Sequence, residues 1–140
     1  MKQEDKEILL KDICARLPYK VKCSFGVDDA IYEITGINPS ACGASEIQAT
    51  HVKSSINGDF KLNSCKPYLF PMSSMTKEQR KEYESLCIKE ISECTDIYDI
   101  IFDYYYDTVK SIDYLYKNHF DYRGLIPMGI ALDATGKNIY

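Results

Sequence analysis

A change in hydrophobic period near residue 19 constrains the fold more than any other feature of the chain. Before it, four apolar residues recur at near-helical spacing, Ile8, Leu9, Ile13 and Leu17. Asp5 can cap this first helix and Pro18 ends it. After it, residues 19–25 alternate between apolar and polar side chains, which is typical of a half-buried strand.

Three further strands are predicted after this one. Residues 30–37 and 46–56 are rich in β-forming residues, and Asn57-Gly58 favours a two-residue hairpin turn that returns the chain along residues 59–62. Four consecutive antiparallel strands of this length cannot bury one face as a flat sheet. We therefore expect a four-stranded antiparallel SH3-like small barrel, covered by a helix.

The second half of the chain is predicted to be mainly helical. Thr76-Lys-Glu-Gln79 is a capping box, and the helix that it opens is expected to continue to about Cys94. Asp107 can cap a final helix over residues 108–117, after which residues 124–140 are expected to lie extended over the surface.

Residues 97–106 leave two structures open. Their aspartates recur at helical spacing, but the run Ile-Ile-Phe-Asp-Tyr-Tyr-Tyr within them is also typical of a strand. We favour the helix, and strand remains the alternative.

Length and composition predict one domain over residues 1–140. The chain is 45% hydrophobic and 27% charged, as in ordinary globular proteins. Residues 1–63 would form the helix and the small barrel, and residues 64–140 a mainly helical part packed on it, which makes the fold class α+β. No apolar run approaches the ~20 residues that span a bilayer, and no signal peptide is visible. A cytoplasmic protein is expected.

Charge is concentrated in one segment. Residues 82–113 carry nine carboxylates against two lysines, a net charge of −7, in a chain of net charge −4. Because such a segment repels phosphate, it disfavours direct nucleic-acid binding and favours a basic protein partner or simple solvation.

The residues offer little for catalysis or metal binding. None of the six cysteines forms a C-x-x-C pair, so free thiols are expected rather than zinc ligands. A cysteine hydrolase would need a histidine near its thiol, and Cys42 is the cysteine expected to be most exposed, with His51 and His119 the only histidines. Because any cysteine could be paired with either histidine, this signal is weak. Aspartates spaced along a helix favour a solvated face over a calcium site. We expect no enzyme activity, cofactor or metal.

Tyrosines cluster in the acidic segment, with seven of the twelve between Tyr98 and Tyr122. Tyrosine is enriched in binding surfaces because it combines a large rigid ring with a polar tip. Core packing of half these rings is the alternative. The predicted protein contact comprises Tyr98, Asp99, Asp103, Tyr104, Tyr105, Tyr106 and Asp107.

Arg123 follows the final helix in Asp121-Tyr-Arg-Gly. It can bind a carboxylate or phosphate bidentately, or close onto helix carbonyls, Asp121 or Asp113. The predicted anion contact joins Arg123 to three lysines, Lys20, Lys22 and Lys66.

Two segments together resemble a known family. They are Lys66-Pro-Tyr-Leu-Phe-Pro-Met-Ser-Ser-Met-Thr-Lys-Glu-Gln79 and the stretch from Ser111 through Asp121-Tyr-Arg-Gly-Leu-Ile126 to Asp133. The combination resembles a family of small uncharacterised proteins encoded by gut Bacteroidales and by their phages and prophages. This resemblance implies a phage-linked accessory role, with no catalytic residue to carry over.

The expected function is a non-enzymatic phage-associated binding protein that engages a host factor, for anti-defence or host takeover, through the acidic tyrosine-rich face. One alternative is a binder or sponge for a small nucleotide signal at a protomer interface. Another is a structural or assembly component of a phage particle, with self-association.

Overall fold

The computed structural model describes residues 1–26, 30–39, 45–87 and 97–140, and their side chains except those of residues 39, 45 and 97–106. These residues include three α-helices: α1 Gln3–Arg16, α2 Lys77–Leu86 and α3 Ile97–Lys117. The same residues include six strands: β1 Lys22–Ser24, β2 Tyr32–Pro39, β3 Ser45–His51, β4 Asn57–Lys61, β5 Lys66–Leu69 and β6 Leu132–Asp133. The fold class is mixed α+β, as predicted.

The six strands form one open sheet in the order β4-β3-β2-β1-β5-β6. All neighbouring pairs are antiparallel except β5 and β6, which run parallel. The predicted SH3-like barrel is wrong, because β4 does not close onto β1. Cys23 of β1 instead pairs with Tyr32 of β2 on one side and with Pro67 of β5 on the other.

The predicted hairpin turn is also displaced. Asn57 and Gly58 belong to β4, and the chain reverses over residues 51–56, where the Ser55 N–H donates to the His51 carbonyl at 2.8 Å. Ser55 adopts the positive φ of 56°. A Cβ at Gly58 would lie 2.9 Å from the Phe60 ring. The glycine is therefore needed for the close approach of this ring and not for a turn.

Helix boundaries follow local signals closely. The capping box of α2 is confirmed: the Gln79 N–H donates to Thr76 Oγ1 at 3.1 Å, and the Thr76 N–H donates to Gln79 Oε1 at 2.9 Å. The predicted cap of α1 at Asp5 is wrong, because the helix begins two residues earlier. Asp5 lies inside the first turn, where its carboxylate accepts a hydrogen bond from the Lys2 N–H at 3.2 Å. Pro18 lies in a 3-10 turn directly after α1.

The two later helices differ from prediction. Helix α2 ends at Leu86, short of Cys94, which lies outside the described residues. Helix α3 is continuous from Ile97, so residues 97–106 are helical and Asp107 lies inside the helix instead of capping one. Its carboxyl end at Lys117 is confirmed. None of the described helices is long and apolar enough to cross a membrane.

The main core lies between α1, the sheet and the carboxyl-terminal segment. Leu9, Ile13, Val21, Ile47 and Leu125 have no exposed surface in it. Each such side chain contributes about 1.5–3 kcal/mol by leaving water. The carboxyl-terminal segment is therefore a core element, and the prediction of an extended surface segment is wrong.

Residues 64–140, predicted to be mainly helical, also contribute strands to the sheet. They contain β5 and β6 as well as α2 and α3, because residues 132–133 add a strand beside β5. The same sheet edge continues to Phe70, whose N–H donates to the His119 carbonyl at 2.9 Å and whose carbonyl accepts from the Asp121 N–H at 2.8 Å. The end of α3 is thereby bound to the sheet.

Candidate binding surface

A buried ion pair in α1 holds the end of α3. Arg16 Nε lies 2.7 Å from Asp12 Oδ2, and Arg16 Nη2 donates to Asp12 Oδ1 at 3.2 Å, with neither side chain exposed. The same guanidinium donates to the Phe120 carbonyl at 2.8 Å and to the Leu115 carbonyl at 3.5 Å. Leu115 lies in the last turn of α3, where the helix dipole favours a cation, and Phe120 lies in the segment that follows the helix.

Three partly exposed side chains lie next to this ion pair: Tyr116, Tyr122 and Arg123. We call them the Tyr-Arg cluster. Arg123 Nη2 donates to the Tyr116 hydroxyl at 2.8 Å, and the two tyrosine hydroxyls lie 2.6 Å apart. The tyrosine rings meet edge to face with 5.4 Å between their centroids. The Arg123 guanidinium lies 4.9 Å from the centre of the Tyr122 ring. Each member therefore restrains the other two.

The cluster is connected to the buried pair by charge. Arg123 Nε lies 3.5 Å from Asp12 Oδ1, with 32% of the Arg123 side chain exposed. The Arg16 guanidinium lies 5.1 Å from the centre of the Tyr116 ring. One carboxylate thus faces two guanidinium groups, which leaves this site with a positive charge beside the acidic segment.

Burial and hydrogen bonding fix the protonation states of Tyr122 and Arg123. Burial and the hydrogen bond to Tyr116 raise the pKa of the Tyr122 phenol. Burial by itself would lower the pKa of Arg123, but the hydrogen bond to Tyr116 and the charge of Asp12 raise it on balance. The Tyr122 phenol is neutral and Arg123 is charged at neutral pH.

Asp121 shapes the loop that presents Arg123. Its Oδ1 accepts from the Leu125 N–H and its Oδ2 from the Ile126 N–H, both at 2.8 Å, and the residue is buried. Gly124 takes a positive φ of 76° within this loop. Asp121 therefore binds backbone rather than Arg123.

The predicted partners of Arg123 were different. Asp113 accepts a hydrogen bond from the Tyr19 hydroxyl, and Arg123 binds Asp12 and Tyr116. The sequence did contain a signal for the buried pair, since Asp12 and Arg16 fall on the same face of α1 as Leu9 and Ile13. Charged residues in an apolar stripe indicate a buried pair rather than a solvated one.

Six of the seven residues in the predicted protein contact have undescribed side chains. They are Tyr98, Asp99, Asp103, Tyr104, Tyr105 and Tyr106, and their backbone belongs to α3. Asp107 is half-buried. Because α3 is continuous, the spacing of four residues places positions 99, 103 and 107 along one side of the helix.

The residues of the predicted anion contact lie in different environments. Lys22 Nζ donates to the Ile139 carbonyl at 2.6 Å, while Lys20 and Lys66 are exposed. A shared anion site stays a prediction.

The predicted Cys-His pairing cannot be located, because Cys42 lies outside the described residues. The His51 ring is hydrogen-bonded to Ser54 Oγ at 2.5 Å, and His119 is buried. Across the described part of the chain, no group of three histidine, cysteine, aspartate or glutamate residues is placed to hold a metal ion.

Comparisons with known proteins assign no family. No family model matches the chain, and neither curated proteins nor solved structures match it. The function is therefore inferred from the geometry of the chain itself.

Proposed function

We propose that this chain is a non-enzymatic binding protein that engages a protein partner through α3 and the Tyr-Arg cluster. One observation carries the proposal. Tyr116, Tyr122 and Arg123 are partly exposed yet mutually ordered at the carboxyl end of a helix whose other residues include the acidic, tyrosine-rich segment.

Tyrosine and arginine are the residue types that dominate the energetics of protein interfaces. Binding costs about 0.5–1.5 kcal/mol for each flexible side chain that it immobilises. The cluster is already restrained by hydrogen bonds at 2.6 and 2.8 Å, so less of this cost remains to be met on contact. This ordering supports a recognition role for the cluster.

The charge of α3 indicates the kind of partner. Asp99, Asp103 and Asp107 recur every four residues along the helix, and only Lys110 offsets them nearby in sequence. Such a row attracts a basic protein surface and raises the association rate at low salt. We expect the partner to present basic residues to the helix and an acceptor group to Arg123.

The family resemblance supports the biological setting. The segments from Lys66 to Gln79 and from Ser111 to Asp133 resemble small proteins of gut Bacteroidales phages and prophages. The proposed partner is accordingly a host factor in the cytosol of the infected cell, and the proposed role is anti-defence or host takeover.

Charge reversal of α3 tests the proposal. The tagged chain is used to capture proteins from a lysate of gut Bacteroidales, beside a variant carrying Asp99→Lys, Asp103→Lys and Asp107→Lys. We expect at least one partner of the native chain to be lost from this variant. The matched control reverses the same number of acidic residues elsewhere, with Glu7→Lys, Glu46→Lys and Asp59→Lys, all at exposed positions.

The Tyr-Arg cluster is tested separately with Arg123→Ala and Tyr122→Ala. We expect either substitution to weaken the captured complex at least tenfold while the helical circular dichroism signal is retained. A complex that survives the α3 reversal and both cluster variants unchanged would show that the contact lies elsewhere.

A further inference from the structure

A pocket of about 390 Å³ opens at the carboxyl end of α3, and none of its lining residues belongs to the Tyr-Arg cluster. Its walls come from residues 117–120 at the end of α3, from Ser74 and Gln79 around the start of α2, and from Thr135 and Tyr140. Small-molecule sites of proteins begin at roughly 300 Å³. This volume suits a compound of one or two fused rings.

One wall of the pocket is aromatic. The Tyr140 and His119 rings stack with their centroids 3.8 Å apart and their planes 13° from parallel. The centroid of the Phe70 ring lies 6.0 Å from that of Tyr140 and 6.3 Å from that of Phe120. A flat aromatic compound gains contact area and favourable ring geometry against such a wall.

Charge gives the pocket little power to select a ligand. Lys117 is the only lysine or arginine among the lining residues, and it is exposed, so solvent and salt screen its charge. The carboxylate that ends the chain at Tyr140 offsets this lysine, and the net charge of −4 disfavours an anion. The other polar side chains, such as those of Asn118 and Thr135, are neutral. The lining therefore favours a neutral ligand held by shape and hydrogen bonds.

His119 contributes a buried hydrogen-bond acceptor to the wall. The residue is 6% exposed, and its Nδ1 has no hydrogen-bond partner. Burial is the main reason that the pKa of the imidazole lies at about 4, so the ring is neutral at neutral pH and carries one proton. The hydrogen bond from the ring to the Tyr19 backbone assigns this proton to Nε2, because Nδ1 is unpaired. Nδ1 is therefore an acceptor that lacks a donor.

A ligand can supply the donor that Nδ1 lacks. Leaving a buried acceptor unpaired is unfavourable, and an N–H or O–H group removes this penalty whereas a carboxylate does not. Nδ1 is covered in the unliganded chain, so a lining side chain must move before a ligand reaches it. Lys117 has an exposed side chain in the lining, and such side chains change rotamer within nanoseconds. Binding at Nδ1 is therefore coupled to a movement of the lining.

We propose that this pocket, the His119 pocket, binds a neutral planar aromatic compound of one or two rings that donates an N–H or O–H hydrogen bond to Nδ1. The ligand ring lies against the aromatic wall, in contact with Phe70 and Tyr140. The site is separate from the proposed protein contact, and either one can be absent without the other. Nitrogen heterocycles with one N–H group are the simplest members of the ligand class.

Two probes of one shape test the hydrogen bond. Indole and 1-benzofuran have the same fused-ring outline, but an oxygen atom that cannot donate replaces the N–H group of indole. Binding is measured by chemical-shift titration in NMR spectra of the full chain. We expect indole to bind roughly fivefold more tightly, as the net contribution of one hydrogen bond predicts. A pocket that selected by hydrophobicity alone would prefer 1-benzofuran, which is the more apolar compound.

Two charged relatives of indole test the preference for a neutral ligand. Tryptamine is a cation and indole-3-acetate is an anion at neutral pH, and both keep the N–H group. We expect neither compound to bind more tightly than indole, because the lining carries no decided charge.

The imidazole of His119 reports the contact directly. His119 and His51 are the only histidines of the chain, so their ring nitrogens can be distinguished in long-range proton–nitrogen NMR spectra. Indole should move the Nδ1 resonance of His119 upfield, as expected of a nitrogen that accepts a hydrogen bond, and should leave His51 unchanged. The effect of 1-benzofuran on Nδ1 should be much smaller.

Two variants at an exposed lining position locate the binding. Thr135→Trp should fill the pocket and abolish the binding of indole, whereas Thr135→Val, of similar size to threonine, should not. The proposal is overturned if indole does not bind or leaves Nδ1 unmoved, or if 1-benzofuran or a charged relative binds as tightly or more tightly. It is also overturned if Thr135→Trp binds like the native chain.

Discussion

Asp12 and Arg16 form a fully buried ion pair, one helical turn apart in α1, with 2.7 Å between Arg16 Nε and Asp12 Oδ2. The pair is more than a local contact, because Arg16 also donates to the Phe120 carbonyl at 2.8 Å and Asp12 also faces Arg123 at 3.5 Å. It thus joins α1 to the end of α3 and supports the cluster proposed to meet a partner.

Removing one member of this pair should destabilise the chain severely. Arg16→Met leaves Asp12 charged and buried, and it leaves the Phe120 carbonyl without its donor. Breaking a buried pair in this way costs about 3–5 kcal/mol. We expect a loss of that size in the free energy of unfolding, measured by urea denaturation followed by circular dichroism.

The matched control for Arg16→Met is Arg80→Met, at an exposed position on α2, which should change stability by no more than about 0.5 kcal/mol. Adding Asp12→Leu to Arg16→Met removes the stranded charge and should recover part of the loss. Equal stability of the two single variants would contradict a structural role for the buried pair.

Stability should fall as the pH is lowered from about 6.5 to 4, in part through His119. Burial, with the charges of Arg16 and Lys22, lowers the pKa of His119 from 6.5 to about 4, against the opposing hydrogen bond to the Tyr19 backbone. The unfolded chain therefore takes up this proton first on acidification, and protonation favours unfolding. Protonation of His119 accounts for a loss of about 3 kcal/mol in the free energy of unfolding across that range.

His119→Asn isolates this contribution, since asparagine tolerates the positive φ and does not titrate. The difference in unfolding free energy between the native chain and the variant should shrink as the pH falls from 6.5 to 4. His51→Asn, at the only other histidine, is the control. A difference that stays constant across this range would refute the shifted titration of His119.

Thiol labelling should separate the described cysteines into two classes. Cys23 and Cys65 have no exposed surface, and the hydrogen bond between their thiols, together with burial, raises the pKa of the Cys23 thiol. Cys14 is exposed and Cys87 half-buried. Because the thiolate is the reactive form, iodoacetamide should modify Cys14 and Cys87 at least a hundredfold faster than the buried pair. Peptide mass spectrometry of the folded chain measures this, and modification of all four at similar rates would refute it.

Asp121 should control the loop that carries Arg123. Asp121→Ala removes both acceptors of the Leu125 and Ile126 N–H groups, and hydrogen bonds to a charged group contribute about 1.5–3 kcal/mol each. We expect a loss of at least 2 kcal/mol in unfolding free energy and faster amide exchange at residues 125 and 126. Asp121→Asn keeps one acceptor oxygen and should lose less. Unchanged exchange at both amides in Asp121→Ala would contradict this role.

Features set by neighbouring residues could be predicted from the sequence. The Thr76 capping box, the end of α1 just before Pro18 and the end of α3 at Lys117 each depend on a few adjacent side chains. The hairpin prediction failed although it was local, because Gly58 is needed for the close approach of Phe60 rather than for positive φ.

Features set by distant pairing could not be predicted. The two residues of β6 become a strand only because β5 offers them an edge, and no periodicity marks so short a segment. The pairing of β1 with β5 likewise leaves open the sheet that four strands alone were expected to close. In the candidate site, the position of Arg123 after a helix and the clustering of the tyrosines were visible in sequence. The apolar stripe of α1 also indicated that Asp12 and Arg16 are buried, but the bonds from Arg16 to the Leu115 and Phe120 carbonyls depend on how α3 ends against α1.

Native mass spectrometry under reducing conditions tests the proposed protein contact most directly. The chain is purified at low salt from a gut Bacteroidales cell and sprayed without cross-linking. We expect the 16.1 kDa chain in complex with a second, different polypeptide, and we expect Arg123→Ala to release that polypeptide. The bare 16.1 kDa chain, or an oligomer of this chain alone, would contradict a host protein partner.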